Sequence, residues 1–302
     1  MTQPIGDKAT AEAVCFRHTN RPTNVSCQNC GKPICSDCMR ESPVGYRCPD
    51  CAPKSKPALA DDLMVTKTII GINVFVFVLG IVLQAVDGFS GNFVMSSTSS
   101  LTTEGSLIAS ACQSFVPSAG GGVCIDPVGV ANGEWYRLIT SGFLHSGLLH
   151  IGFNMYFIWM FGQLLEPSLG RMRFSLVYFV SLLGGAIGAL LYSAPNAQTV
   201  GASGAAFGLL GAALVVSKLR RIDGLTSDLL MIAGLNFAIG FIPGLNISIG
   251  GHLGGFVVGA LAGYIAFGPL ARQRGLVTGI LCVAAVALFI GGIAVAEMRA
   301  VV

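Results

Sequence analysis

Charge is scarce in this chain. Of its 302 residues only 11% are Asp, Glu, Lys or Arg, against about 25% in soluble domains. Residues 68–136 hold no Lys or Arg, and no acidic residue lies between Glu166 and Asp223. There are two tryptophans and four histidines, so each histidine inside an apolar run stands out. Residues 1–14 lack an apolar stretch, so no signal peptide is expected. The shortage of charge excludes an ordinary water-soluble enzyme, and a net charge of +3 is too small to imply a nucleic-acid partner.

What is there points to a bilayer. Hydrophobic residues make up 53% of the chain, with 40 glycines and a mean hydropathy of +0.70. A helix needs about 20 apolar residues to cross the hydrocarbon core, and seven segments qualify as spans: 64–86, 147–166, 172–193, 203–219, 227–243, 250–268 and 276–297. The fourth and fifth are short and broken by glycine. Residues 87–146 are Ser-, Thr- and Gly-rich, too polar to cross, and are expected to carry short interfacial helices near their end. The sequence therefore reads as an all-α polytopic membrane protein behind a small polar head.

Positive charge orients it. Eight of the 18 basic residues precede residue 57, and Lys67, Arg171, Arg173, Lys218, Arg220, Arg221, Arg272 and Arg274 fall in alternate connections. Only Arg137 and Arg299 lie on the other side. By the positive-inside rule the head faces the cytoplasm, and residues 87–146 and the tail 298–302 face outside. Spans two, four and six then all enter from the outer side. His150 and Asn154 begin span two, Ser203 begins span four and His252 begins span six. Each lies within roughly 10 Å of its helix start at 1.5 Å per residue.

Ionisable groups in a membrane span are costly and usually functional. A serine beside a histidine is the minimum for nucleophilic catalysis. Gly201-Ala202-Ser203-Gly204 places Ser203 at a helix start, where unpaired N–H groups favour developing negative charge. His150 and Asn154, four apart, share one helix face and both donate hydrogen bonds, as an oxyanion site requires. Singly, each has a plainer reading: Ser203 as a packing residue, Asn154 as interhelical glue, a histidine as structural. It is their shared depth on three helices that singles them out. Gly251, Gly255, Gly259 and Gly263, with Gly204, Gly208 and Ala212, form small-residue faces that let spans six and four approach closely. Such faces permit the Ser–His contact without diagnosing it.

The set Gly201-Ala202-Ser203-Gly204, His150-x-x-x-Asn154 and Gly251-His252-x-x-Gly255-x-x-x-Gly259 resembles the rhomboid intramembrane serine proteases, as does Glu134-Trp135-Tyr136-Arg137 before span two. Glu166, ending span two before Gly170, fits as well. The resemblance covers residues 64–297. It implies a six-helix core with a seventh C-terminal helix, and a Ser–His dyad that uses no metal or other cofactor for catalysis. Carried over by position, Ser203 is the nucleophile, His252 the general base and then acid, and His150, Asn154 and the Ser203 amide the oxyanion donors. Gly201 and Gly204 support the site, and Phe207 stands where several bacterial members have a tyrosine stacked on the histidine. His145 either structures the outer loop or faces solvent. Helix 227–243, ending at Pro243, and the loop 244–249 match the elements thought to gate substrate entry.

The head, residues 1–52, carries Cys15-x-x-His18, Cys27-x-x-Cys30, Cys35-x-x-Cys38 and Cys48-x-x-Cys51. Eight thiol and imidazole ligands suit two tetrahedral zinc ions, and a segment this small needs such staples. Disulfides are the rival, disfavoured in a reducing cytoplasm. The pattern resembles B-box and related cross-braced fingers. Cross-bracing would join Cys15, His18, Cys35 and Cys38 at one ion and Cys27, Cys30, Cys48 and Cys51 at the other; sequential pairing is open on spacing alone. A cytoplasmic protein partner is expected for the head. Its linker, residues 53–63, offers Lys54 and Lys56 to anionic lipid. Outside, Cys112 and Cys124 are placed to form a disulfide or to stay free.

Taken together, the expectation is a multi-pass plasma-membrane serine endopeptidase, cleaving transmembrane proteins in or near their membrane segments. A catalytically silent rhomboid-like scaffold that binds transmembrane segments is the first alternative. A zinc-responsive transporter is the second, disfavoured because the spans hold almost no further ionisable groups.

Overall fold

The computed structural model describes residues 13–42, 45–52, 63–86, 91–92, 96–97, 99–118, 121–242 and 247–300. Linker residues 53–62 with Lys54 and Lys56, and the segment 243–246 with Pro243, lie outside the described residues. The chain divides into two compact units, Met1–Ala60 and Asp61–Val302.

The first unit has little regular structure: a 3-10 turn at Ser36–Cys38 and a two-residue antiparallel pair, Arg40–Glu41 with Tyr46–Arg47. Among the described residues its fully buried interior is five cysteines (Cys15, Cys27, Cys35, Cys38 and Cys48) and one aliphatic side chain, Ile34, with Phe16, Val25 and Met39 packed partly buried against them. So small an apolar interior cannot offset the chain entropy of about 40 ordered residues.

The second unit is helical. In chain order its helices are α1 (Met64–Val86), α2 (Ser100–Gly105), α3 (Arg137–Thr140), α4 (Leu148–Leu169), α5 (Arg171–Tyr192), α6 (Ser203–Leu219), α7 (Asp223–Gly240), α8 (Ile249–Phe267) and α9 (Arg274–Ala300). Among the described residues seven are long, and they fall where the seven spans are expected. Five of them, α1, α4, α5, α8 and α9, are long and apolar enough to cross a membrane, and the chain is a multi-pass membrane protein. The span predicted at 227–243 begins at Asp223, because Asp223, Thr226, Ser227 and Asp228 are polar yet helical. α6, at 17 residues, is about 26 Å long, short of a hydrocarbon core of about 30 Å.

Glycine draws the core helices together. Side chains added at Gly255, Gly259 and Gly263 of α8 would collide with Gly204, Gly208 and Ala212 of α6. On α5, Gly185 lies against Gly204 and Gly251, and Gly188 against Gly250. These contacts bring α5, α6 and α8 against one another at backbone distance, as interfaces of small residues allow.

The connection between α1 and α4 is built as well as tethered. Besides α2 and α3 it holds a hairpin, Phe115–Ser118 paired with Gly121–Cys124, and a disulfide between Cys112 and Cys124, whose Cα atoms are 5.9 Å apart. Arg137 is 1% exposed. It donates to Glu134 at 2.7 Å and to the carbonyls of Thr103 and Ser106 at 3.0 and 2.9 Å. Leu107 and Thr199 exchange backbone hydrogen bonds of 2.9 and 3.0 Å, fastening the loop to the connection that leads into α6. Glu166, 1% exposed, accepts from the amides of Val65 and Thr66 at 2.8 and 2.9 Å and so caps the start of α1. Cys282 is exposed on α9.

Candidate active site and metal centre

Ser203 opens α6, and Phe207 lies one turn further on the same face. The Phe207 ring stacks on the imidazole of His252, with centroids 4.0 Å apart and planes 16° from parallel. His252 is held in α8, whose start is capped by Ser248 accepting from the Gly251 amide at 3.2 Å. The stack therefore sets His252, 9% exposed, against the first turn of α6, and Ser203 is half-buried there. Phe237 of α7 meets Phe207 edge-on, with ring centroids 5.0 Å apart.

The residue two before Ser203 needs to be glycine. Gly201 has φ +128°, a conformation L side chains rarely adopt. A Cβ there would stand 2.6 Å from His150 Nε2 and 3.7 Å from Ser203 Oγ. The same point in space is thus flanked by the serine hydroxyl and by one nitrogen of His150. The Gly201 amide donates to the Ser141 carbonyl at 2.9 Å, which fixes this approach.

His150 is the third residue of α4. Its Nδ1 faces Ser146, 3.1 Å from the hydroxyl and 3.4 Å from the amide nitrogen. Asn154, 4% exposed, donates one amide proton to the His150 carbonyl at 2.9 Å, leaving a second N–H. The structure thus brings Ser203, Gly201, His150, Phe207 and His252 together, with Asn154 one turn behind His150 and Gly204 at the α6–α8 contact.

One residue carries more than its sequence signal suggested. His145 is buried, 4% exposed, and of its two open readings the solvent-facing one falls. Its Nε2 lies 3.5 Å from the Ala202 amide and its ring meets His150 edge-on at 5.0 Å. It supports the backbone beside Ser203 from 57 positions away, and only its position before a span start hinted at that.

In the head the cysteine pairs interleave. Cys15, His18, Cys35 and Cys38 form one group and Cys27, Cys30, Cys48 and Cys51 another, the ligand atoms of each lying within 4.8 Å of one another. This is the cross-braced grouping, not the sequential one. Tetrahedral bonds of about 2.3 Å to sulfur and 2.0–2.1 Å to nitrogen require S···S near 3.8 Å and N···S near 3.6 Å. Cys30 and Cys48 are 3.8 Å apart, and His18 Nδ1 lies 3.8, 3.2 and 3.5 Å from Cys15, Cys35 and Cys38. The donor set fits zinc, with no position left open. Burial tends to raise the Cys15 thiol, but the backbone amides of Cys35, Arg17 and His18 outweigh it and bring it to about 6. Cys27 is brought to about 6 in the same way, against burial, by the amides of Cys48, Asn29 and Cys30. Each site thus contains a thiol predisposed to the thiolate a metal needs. Ion pairs of Arg17 with Asp50 and Arg21 with Asp37 brace the surface.

Comparison with known proteins agrees with both parts. Residues 132–269 match the Rhomboid domain and residues 10–43 the B-box zinc finger. The chain is 35% identical over 162 residues to the rhomboid protease GluP of Bacillus subtilis, a match covering 51% of this chain and 31% of that protein. It is 37% identical over 138 residues to RHOMBOID-like protein 5 of Arabidopsis thaliana, covering 43% and 45%. It is also 36% identical over 152 residues to rhomboid-type serine protease 2 of Emericella nidulans, covering 49% and 29%. The chain spans less than half the length of each of these relatives. It therefore carries a rhomboid domain over residues 132–269, preceded by a B-box zinc finger over residues 10–43.

Proposed function

We propose that the chain is an intramembrane serine endopeptidase with Ser203 as nucleophile and His252 as general base. The observation that carries this is the Phe207–His252 stack, which sets the only histidine of α8 against the turn of α6 that begins with Ser203. His252 takes the Ser203 proton as Oγ attacks the peptide carbonyl, then returns it to the departing amine. Water completes the cycle by hydrolysing the acyl-enzyme. His150, Asn154 and the Ser203 amide supply donors to the oxyanion. Relatives named as proteases support the same reading.

The substrates are transmembrane proteins with a locally unwound segment, because helical peptide bonds are already paired and shielded. α6 is about a turn too short for the hydrocarbon core, which leaves room for water above Ser203. The basic residues put the head and Lys67 in the cytoplasm and Arg137 outside. The Cys112–Cys124 disulfide in the loop before α4 belongs to an oxidising face and agrees with that orientation. The plasma membrane is the expected location. In the head, Cys15, His18, Cys35 and Cys38 would hold one zinc ion and Cys27, Cys30, Cys48 and Cys51 the other. Those ions supply folding energy and no catalytic chemistry. The folded head would offer its surface to a cytoplasmic protein partner.

Cleavage of a single-span reporter in proteoliposomes tests the dyad. Wild type is expected to cut, and Ser203→Ala and His252→Ala to fall at least 10³-fold at matched folding. Equal cutting by all three overturns the assignment. A wild type that binds but never cuts a panel of reporters favours the silent scaffold.

A further inference from the structure

We propose that Ser146 is a positioning residue that holds His150 in the tautomer carrying its proton on Nε2, so that the donor points to the Ser203 side of the site. The argument begins with the start of α4. Gly147 is its N-cap, with extended φ −176° and ψ 170°, and no side-chain cap is present. His150, the third residue of the helix, turns its Nδ1 back over this entry towards the Ser146 amide at 3.4 Å and hydroxyl at 3.1 Å. In a capping box the third helical residue reaches back to the N-cap amide; here it reaches one residue further, to the amide before Gly147.

The identity of the two partners then fixes the proton. A backbone N–H can only donate, so the amide, long at 3.4 Å, favours a lone pair on the nitrogen it meets without fixing it alone. The Ser146 hydroxyl is free to rotate and, beside that amide, donates to the same lone pair. A neutral imidazole with its lone pair at Nδ1 carries its hydrogen on Nε2. Nε2 is the atom 2.6 Å from the position a Gly201 Cβ would take, with Ser203 Oγ 3.7 Å from the same position. The nitrogen facing the serine is therefore the donor. In the opposite tautomer a bare lone pair would face the developing oxyanion and repel it. The other neighbours of His150 do not compete for Nδ1, since Asn154 bonds its carbonyl and His145 meets the ring edge-on.

This inference rests on the proposed protease reading, but its test does not need turnover. The full chain in lipid, labelled with ¹⁵N-histidine, contains four imidazoles, and the signals lost in His150→Gln identify the one of interest. Wild type is expected to show an unprotonated Nδ1 and a protonated Nε2. Ser146→Ala, which keeps the long amide contact and loses the hydroxyl, is expected to populate both tautomers. Its kcat should fall about tenfold, a fraction of the loss on deleting an oxyanion donor, with KM unchanged. Ser146→Thr, which restores a hydroxyl, should recover both readouts. A protonated Nδ1 in wild type overturns the proposal, and so does a single unchanged tautomer in Ser146→Ala. A chain that cuts no reporter yet shows the Nε2–H form refutes the protease reading and leaves the tautomer assignment standing.

Discussion

At the scale of single residues the site depends on backbone placed where no side chain can follow. Gly201 is the sharpest case. Its φ of +128° strains any other residue, and a methyl group would enter the space 2.6 Å from His150 Nε2. Gly201→Ala is expected to cost about 1–3 kcal/mol in stability and at least about 100-fold in kcat. The activity loss would exceed what the stability change explains, because the collision falls between a proposed donor and the serine. Reporter cleavage alongside reversible unfolding of the same preparation checks both. Activity within threefold of wild type would mean that His150 swings away at no cost and is not a fixed donor. The residues themselves were legible: glycine, serine, histidine and asparagine at span starts advertise a shared depth. What the sequence could not say is which helix faces meet, since depth follows from counting and facing follows from packing. The Phe207–His252 stack supplies that, and His145 became visible only through an amide 57 residues distant.

At the scale of elements the unusual feature is that α6 and α8 touch through backbone. Three successive contacts, Gly204 with Gly255, Gly208 with Gly259, and Ala212 with Gly263, carry no side chain beyond the single Ala212 methyl group. In lipid the hydrophobic effect gives helices little reason to associate, so this close packing must hold them. Gly259→Val is expected to destabilise the helical unit by about 3 kcal/mol, since the Gly208 backbone cannot yield as a side chain would. Gly279→Val on α9 is the control: nothing lies within 4 Å of that position, and a change under about 0.5 kcal/mol is expected. Unfolding of both variants in mixed micelles decides it, and equal stabilities would mean that α6 and α8 separate freely. The four-residue glycine spacing was readable in advance, and so were the bounds of α1 and α6, which coincide with spans 64–86 and 203–219. α7 was not, because its first turns carry Asp223, Thr226, Ser227 and Asp228, and a hydropathy reading discards polar residues that remain helical. The hairpin behind the Cys112–Cys124 disulfide was hidden for a related reason: Gly- and Ser-rich sequence reads as loop until long-range pairing organises it.

At the scale of the whole molecule two units are stabilised by different means, and that difference is testable in one experiment. The helical unit is held by packing of long apolar helices. The head has Ile34 and a set of cysteines for an interior, too little apolar surface to fold a segment of about 40 residues alone. The pairing of its ligands was undecidable from spacing, since both schemes use the same two-residue gaps; the fold decides by crossing first with third and second with fourth. Crossing makes each ion bridge segments far apart in sequence, so removing one should loosen the whole head. Native preparations are expected to contain two zinc ions per chain by elemental analysis. Chelation should bring residues 13–52 to rapid amide exchange while α5, α6 and α8 keep their protection. Cys48→Ser is expected to retain at most one ion and to raise exchange around Ile34 as well as around its own site, because the two sites share one small interior. If the chelated head stays protected, its stability comes from contacts other than metal, and the zinc assignment fails. Cleavage measured on the same chelated sample then reads the coupling between the units directly: an unchanged rate makes the head a separate binding module, and a lost or raised rate makes it a regulator of the protease.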